Sequence, residues 1–64
     1  MVHKVREAIR RVERDGWVHV RTHGSHRIYT HSEKPGNVVI PGRPGSDVPQ
    51  GLWNAILRQA GLKE

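Results

Sequence analysis

Two runs that alternate bulky or β-branched residues with polar ones, Trp17 to Thr22 and His26 to His31, are separated by His23-Gly24-Ser25. Alternation sends successive side chains to opposite faces of a strand, and a Gly-Ser pair between two such runs makes a tight hairpin turn. This hairpin constrains the rest of the chain. Two strands alone are at best marginal in water, so a third strand or a packed helix must cover one face. Asn37-Val38-Val39-Ile40-Pro41 supplies the third strand, a short apolar run bounded by the Ser32-Glu33-Lys34-Pro35-Gly36 turn and by Pro41. Gly42 to Ser46 then forms an irregular loop with Arg43 at its centre.

Helices are predicted at both ends. Val2, Val5, Ile9 and Val12, with Ala8 beside them, recur at three- and four-residue intervals up to Asp15, and Gly16 ends the pattern. Asp47-Val48-Pro49-Gln50 has the form of a second helix start, with Asp47 as cap and Gln50 at the capping-box position. That helix runs to Ala60 and stops at Gly61. Leu52, Ile56, Leu57 and Ala60 face the sheet, and Trp53 covers its edge. The expected fold is α+β: one domain over residues 1–64, a two-layer α-β-β-β-α sandwich with both helices on one face of a three-stranded antiparallel sheet. Strand parity puts His26, Ile28 and Thr30 on one face and Arg27, Tyr29 and His31 on the other. If Ile28 is core, His26 sits at the core's margin; the opposite assignment turns Tyr29 inward.

A chain of 64 residues buries only about 60% of its unfolded surface, which leaves no room for an enclosed substrate cavity. Ligands must be met on the surface. Eleven Lys and Arg against six Asp and Glu leave a net charge of +5, a balance suited to nucleic acid, an anionic surface or an acidic protein. Cysteine is absent, so disulfides and thiolate metal sites are excluded. No apolar run approaches a membrane span or a secretory leader, and a cytoplasmic location is the expectation.

His26 is the candidate for chemistry. The Gly24-Ser25 turn hands it to the first position of a strand, and only histidine has an unperturbed pKa, about 6.5, suited to both giving and taking protons near neutrality. Arg21, Arg27, Lys34 and Arg43, together with Arg6 and Arg10 on the first helix, are expected to attract RNA. Ser25 and Gly24 would position a phosphate, and Tyr29 would offer a stacking surface for a base. A metal site is not expected: His19 and His23 on a strand would stand about 13 Å apart, and no His-x3-His pair falls on a predicted helix. No Asp is placed to complete a Ser25-His26 triad. Cleavage of RNA asks for less, because the 2′-hydroxyl is the nucleophile and the protein need only move protons and stabilise charge. No cofactor is needed for it.

The chain resembles the HicA family of bacterial toxins, mRNA interferases paired with HicB-type antitoxins. The resemblance runs nearly end to end: Arg14-Asp15-Gly16-Trp17 closing the first helix, Gly24-Ser25-His26 followed by hydrophobic residues, Val39-Ile40-Pro41, and the closing Gly51-Leu52-Trp53-Asn54-Ala55-Ile56-Leu57-Arg58-Gln59-Ala60-Gly61. It implies a double-stranded-RNA-binding-domain-like fold, a catalytic histidine at His26, messenger RNA as substrate and a HicB-type antitoxin as partner. One departure stands out. Many relatives carry a second histidine shortly after the third strand's proline, where this chain has Gly42-Arg43-Pro44, and arginine is a cation rather than a base. Two other functions fit the residues: an RNA-binding module of the same fold without catalysis, and a basic adaptor for an acidic protein.

Overall fold

A computed structural model of the chain describes residues 3–62. Strand β1 (His3–Lys4), helix α1 (Val5–Arg14), strands β2 (Val18–His23), β3 (His26–Thr30), β4 (Val38–Ile40) and β5 (Asp47–Val48), and helix α2 (Gln50–Gln59) follow one another along the chain. Strands β2, β3 and β4 form an antiparallel sheet in that spatial order. With two helices packed on it, the sheet gives the α+β architecture predicted above, and the arrangement is compatible with a double-stranded-RNA-binding-domain-like fold.

One hydrophobic cluster joins the layers. Val5, Ala8 and Val12 of α1, Trp53, Ile56 and Leu57 of α2, and Tyr29, Val38 and Ile40 of the sheet are all buried in it, with Trp17, Val48 and Ala60. This settles the parity of β3. Tyr29 is only 1% exposed and pairs with Val38, while Arg27 pairs with Ile40. The Arg27–Tyr29–His31 side therefore faces the helices, and His26, Ile28 and Thr30 face away from them. Of the two assignments the sequence left open, the one with Tyr29 inward holds: Ile28 is half-buried on the open face, and the larger tyrosine ring fills the space beneath the helices. His26 thus lies outside the core altogether.

Both helix starts differ from the sequence prediction. His3 and Lys4 are extended and pair antiparallel with Val48 and Asp47, so α1 begins at Val5; Val2 lies outside the described residues. Glu7 supports this start, its carboxylate accepting the Lys4 N–H at 3.0 Å. That hydrogen bond, reinforced by His3, holds the Glu7 carboxyl below its ordinary range. Asp47 does not cap α2. The β1–β5 ladder and an ion pair with Lys4 hold it, and Pro49 occupies the cap position, its carbonyl accepting the Trp53 N–H at 2.9 Å.

The return from α1 to β2 is fixed by a polar corner. Gly16 takes φ +103°, and a Cβ there would come within 2.9 Å of His31 Nε2, so only glycine fits. The His31 ring donates from Nε2 to the Asp15 carbonyl at 2.7 Å and accepts the Glu33 N–H on Nδ1 at 2.9 Å. Those two bonds define its neutral tautomer. It also meets Trp17 edge-on at 5.2 Å between ring centroids. His31 is thus a structural side chain. Lys34 completes the corner by pairing with the Asp15 carboxylate and donating to the Ala60 carbonyl at 3.1 Å.

Two predictions follow from this packing. Tyr29→Ala is expected to cost about 3 kcal/mol or more, enough to unfold much of so small a domain, whereas Tyr29→Phe should cost less than about 1.5 kcal/mol; urea titration followed by far-UV circular dichroism measures both. The Lys34 hydrogen bond lowers the Asp15 pKa, so the unfolded chain binds this proton more readily than the folded one. The stabilisation is therefore full above the unfolded Asp value, about 3.9, and disappears as pH falls through the folded value. Asp15→Asn should be less stable than the natural chain at pH 7, and the gap should narrow steadily when the same titrations are run below pH 4.

Candidate active site

The β2–β3 connection has the geometry that its sequence requires. His23 and His26 are the last paired residues, and Gly24 and Ser25 form the turn between them. Gly24 adopts φ +60°, and no residue other than glycine has positive φ among those described. A glycine of that conformation at the first central position is the signature of a type II′ turn, whose twist matches that of the flanking strands. The turn sets the register: Thr22 pairs with Arg27, and Arg21 with Ile28. Between His19 and Arg21 the register slips by one, leaving Val20 as an extra residue in β2.

His26 is exposed at the first position of β3. Its ring has no hydrogen-bond or ion-pair partner among the described residues. Arg21 lies on the same face, diagonal to it across the ladder, a relation that spans about 7–8 Å between backbones. Neither β2 nor β3 contains a carboxylate. A histidine so placed is open to a ligand on the helix-free side of the sheet and has anion-favouring neighbours.

On the other side of the same hairpin end lies a cleft of about 290 Å³, lined by Thr22, Gly24, Ser25, Arg27, Gly42, Arg43 and Pro44. Its two walls are the turn and the loop after β4. The loop is tied to α1, for Ser46 and Pro44 carbonyls accept the Val5 and Arg6 N–H groups at 2.9 and 3.0 Å, and the Ser46 N–H closes back on Arg43 at 2.9 Å. Arg27 bridges the walls by donating from Nη1 to the Gly42 carbonyl at 3.1 Å. This leaves its remaining donors available in a fixed guanidinium. Arg43 is exposed, and its side chain has no partner among the described residues. Two arginines and two hydroxyls with no lining carboxylate make an anion-attracting surface.

The predicted site residues therefore divide. Gly24, Ser25, Arg27 and Arg43 meet in the cleft, and Arg21 shares the open face with His26. Arg6 is exposed at the start of α1, where its backbone abuts the cleft loop; Arg10 is exposed further along that helix. Two assignments are corrected. Tyr29 is a core residue, its phenol pushed up from the ordinary value chiefly by burial, and a ring sealed beneath the helices cannot stack on a base. Lys34 is engaged by Asp15 and Ala60, so its charge serves the fold rather than RNA. Thr22 was not singled out from sequence; counting back from a two-residue turn to the partner of Arg27 would have found it.

Among the described residues no group of three His, Cys, Asp or Glu side chains is placed to hold a metal, and no helix is long and apolar enough to cross a membrane. Fold, charge and turn together define a small basic α+β domain with an exposed histidine at a hairpin end. The family model described as HicA toxin of bacterial toxin-antitoxin matches residues 5–62, and the chain belongs to that family. It is accordingly the toxin member of a toxin-antitoxin pair, with an antitoxin as partner. No curated protein matches it significantly.

Proposed function

We propose that this chain is a metal-independent endoribonuclease, an mRNA interferase in which His26 moves the proton of the attacking 2′-hydroxyl. The observation that carries this reading is an exposed imidazole without a hydrogen-bond or ion-pair partner among the described residues, held at a tight turn between an arginine on one face and a cleft with two arginines on the other. Membership in the HicA family, associated with ribonuclease activity, supports it.

The chemistry follows from the residues. RNA is drawn to the hairpin end by Arg21, Arg27 and Arg43, with Arg6 and Arg10 extending the positive field along α1. Gly24 and Ser25 bring backbone and hydroxyl close to the phosphodiester. His26 accepts the 2′-hydroxyl proton as O2′ attacks phosphorus; the P–O5′ bond breaks, and the departing oxygen takes up a proton. The charge that builds on the non-bridging oxygens is met by guanidinium groups. No cofactor enters the reaction.

The antitoxin of this pair is read as HicB-type, covering the hairpin end and excluding RNA. Val18 and Val20, 60% and 52% exposed, give the outer strand apolar surface that a protein partner would bury. Both partners are placed in the cytoplasm, where messenger RNA is met.

His26→Ala tests the reading against a binding module of the same fold. Cleavage of a labelled transcript should fall about 10²- to 10⁴-fold while retention of the transcript in a gel-shift assay persists, and EDTA should leave the natural chain's cleavage unchanged. Undiminished cleavage by the variant would refute the assignment. Failure of the natural chain to retain RNA even at low salt would favour the adaptor.

A further inference from the structure

His23 and His26 form the pair that closes the hairpin, directly opposite each other in the β2–β3 register. Opposed residues in an antiparallel ladder project to the same face, with Cβ atoms about 4.5–5.5 Å apart. Both are exposed, and neither ring has a partner among the described residues. Each of the other three histidines is engaged: His3 stacks on Trp53, His19 bonds the Thr22 hydroxyl, and His31 is locked in the Asp15 corner. The charged group facing the pair from β2 is Arg21; Arg27 of β3 points to the opposite face, and Arg43 lies in the cleft beyond the turn. No carboxylate of either strand competes for the imidazoles.

Resting on the proposed ribonuclease function, we infer that His23 is a second catalytic residue, the general acid that complements His26. Cleavage by transphosphorylation moves two protons at two oxygens on opposite sides of phosphorus. One leaves the 2′-hydroxyl as the O2′–P bond forms, and one reaches O5′ as the P–O5′ bond breaks. A single imidazole must serve both oxygens in turn, whereas two imidazoles projecting from the same face of the hairpin end serve them together. His26 takes the first proton and His23 delivers the second, leaving a 2′,3′-cyclic phosphate and a 5′-hydroxyl. Exchange with water then resets both rings.

Leaving-group chemistry separates an acid from a structural residue. A thiolate departs with far less need of protonation than an alkoxide, since a thiol pKa is about 8.5. On ordinary RNA, His23→Ala and the more conservative His23→Gln should each lower kcat/KM about 10²-fold or more, and the alkaline fall of the natural chain's pH profile should vanish. On RNA carrying sulfur in place of the scissile O5′, both His23 variants should approach the natural rate while His26→Ala remains slow. Circular dichroism of His23→Gln confirms that the hairpin is intact.

Equal loss on both substrates, or cleavage within about two-fold of the natural chain with an unaltered pH profile, would overturn the inference; the two-fold bound sits far below the smallest acid-base contribution. Sulfur rescue of His26→Ala instead would invert the roles and overturn it equally. Failure of the parent reading looks different, since it appears as unimpaired cleavage of ordinary RNA by His26→Ala.

Discussion

The burial of Tyr29 is the contact on which the site depends. Its ring lies between the sheet and the two helices in the cluster that includes Val12, Val38, Ile56 and Leu57, and its inward direction fixes the parity of the whole of β3. With Tyr29 inward, Arg27 must also point toward the helices, where it reaches Gly42 and binds the hairpin to the loop after β4. His26 must point away. A shift of register by one residue would exchange the two, placing the imidazole under the helices and the guanidinium on the open face.

Economy of polar groups shapes the remainder. So short a chain has few interior contacts to spend on rigidity, and backbone hydrogen bonds hold its loops. The start of α1 is satisfied by carbonyls of the Arg43–Ser46 loop and by the Glu7 carboxylate. The end of α2 is satisfied in part by Lys34 and by the Trp17 indole, which both donate to Ala60. The cleft and the turn thereby acquire a fixed frame while their own side chains remain open to ligand.

Much of this was legible in the sequence. Alternation on either side of Gly24-Ser25 gave the hairpin, and the spacing of Val5, Ala8 and Val12 gave the buried face of α1. Gly16 and Gly61 gave the helix ends, since both take the positive φ that a C′ residue requires. The parity of β3 was not legible, because Ile28 and Tyr29 are both good core residues and only the pairing with Val38 and Ile40 decides between them. Nor were the β1–β5 ladder and the engagement of Lys34. Each joins residues far apart in the chain, and a lysine held by Asp15 has the same local sequence signature as one free to meet RNA.

A proton-shuttling histidine acting on the substrate's own 2′-hydroxyl leaves a chemical trace in the products, and the identity of the new ends tests the account most directly. Analysis of a short oligoribonucleotide after cleavage by the purified chain, by mass spectrometry and by kinase labelling, is predicted to show a 2′,3′-cyclic phosphate and a 5′-hydroxyl, with no cleavage where the scissile nucleotide is 2′-deoxy. A 5′-phosphate with a 3′-hydroxyl, or unimpeded cleavage of the deoxy-substituted strand, would mean that water rather than ribose attacks, and the account would be wrong.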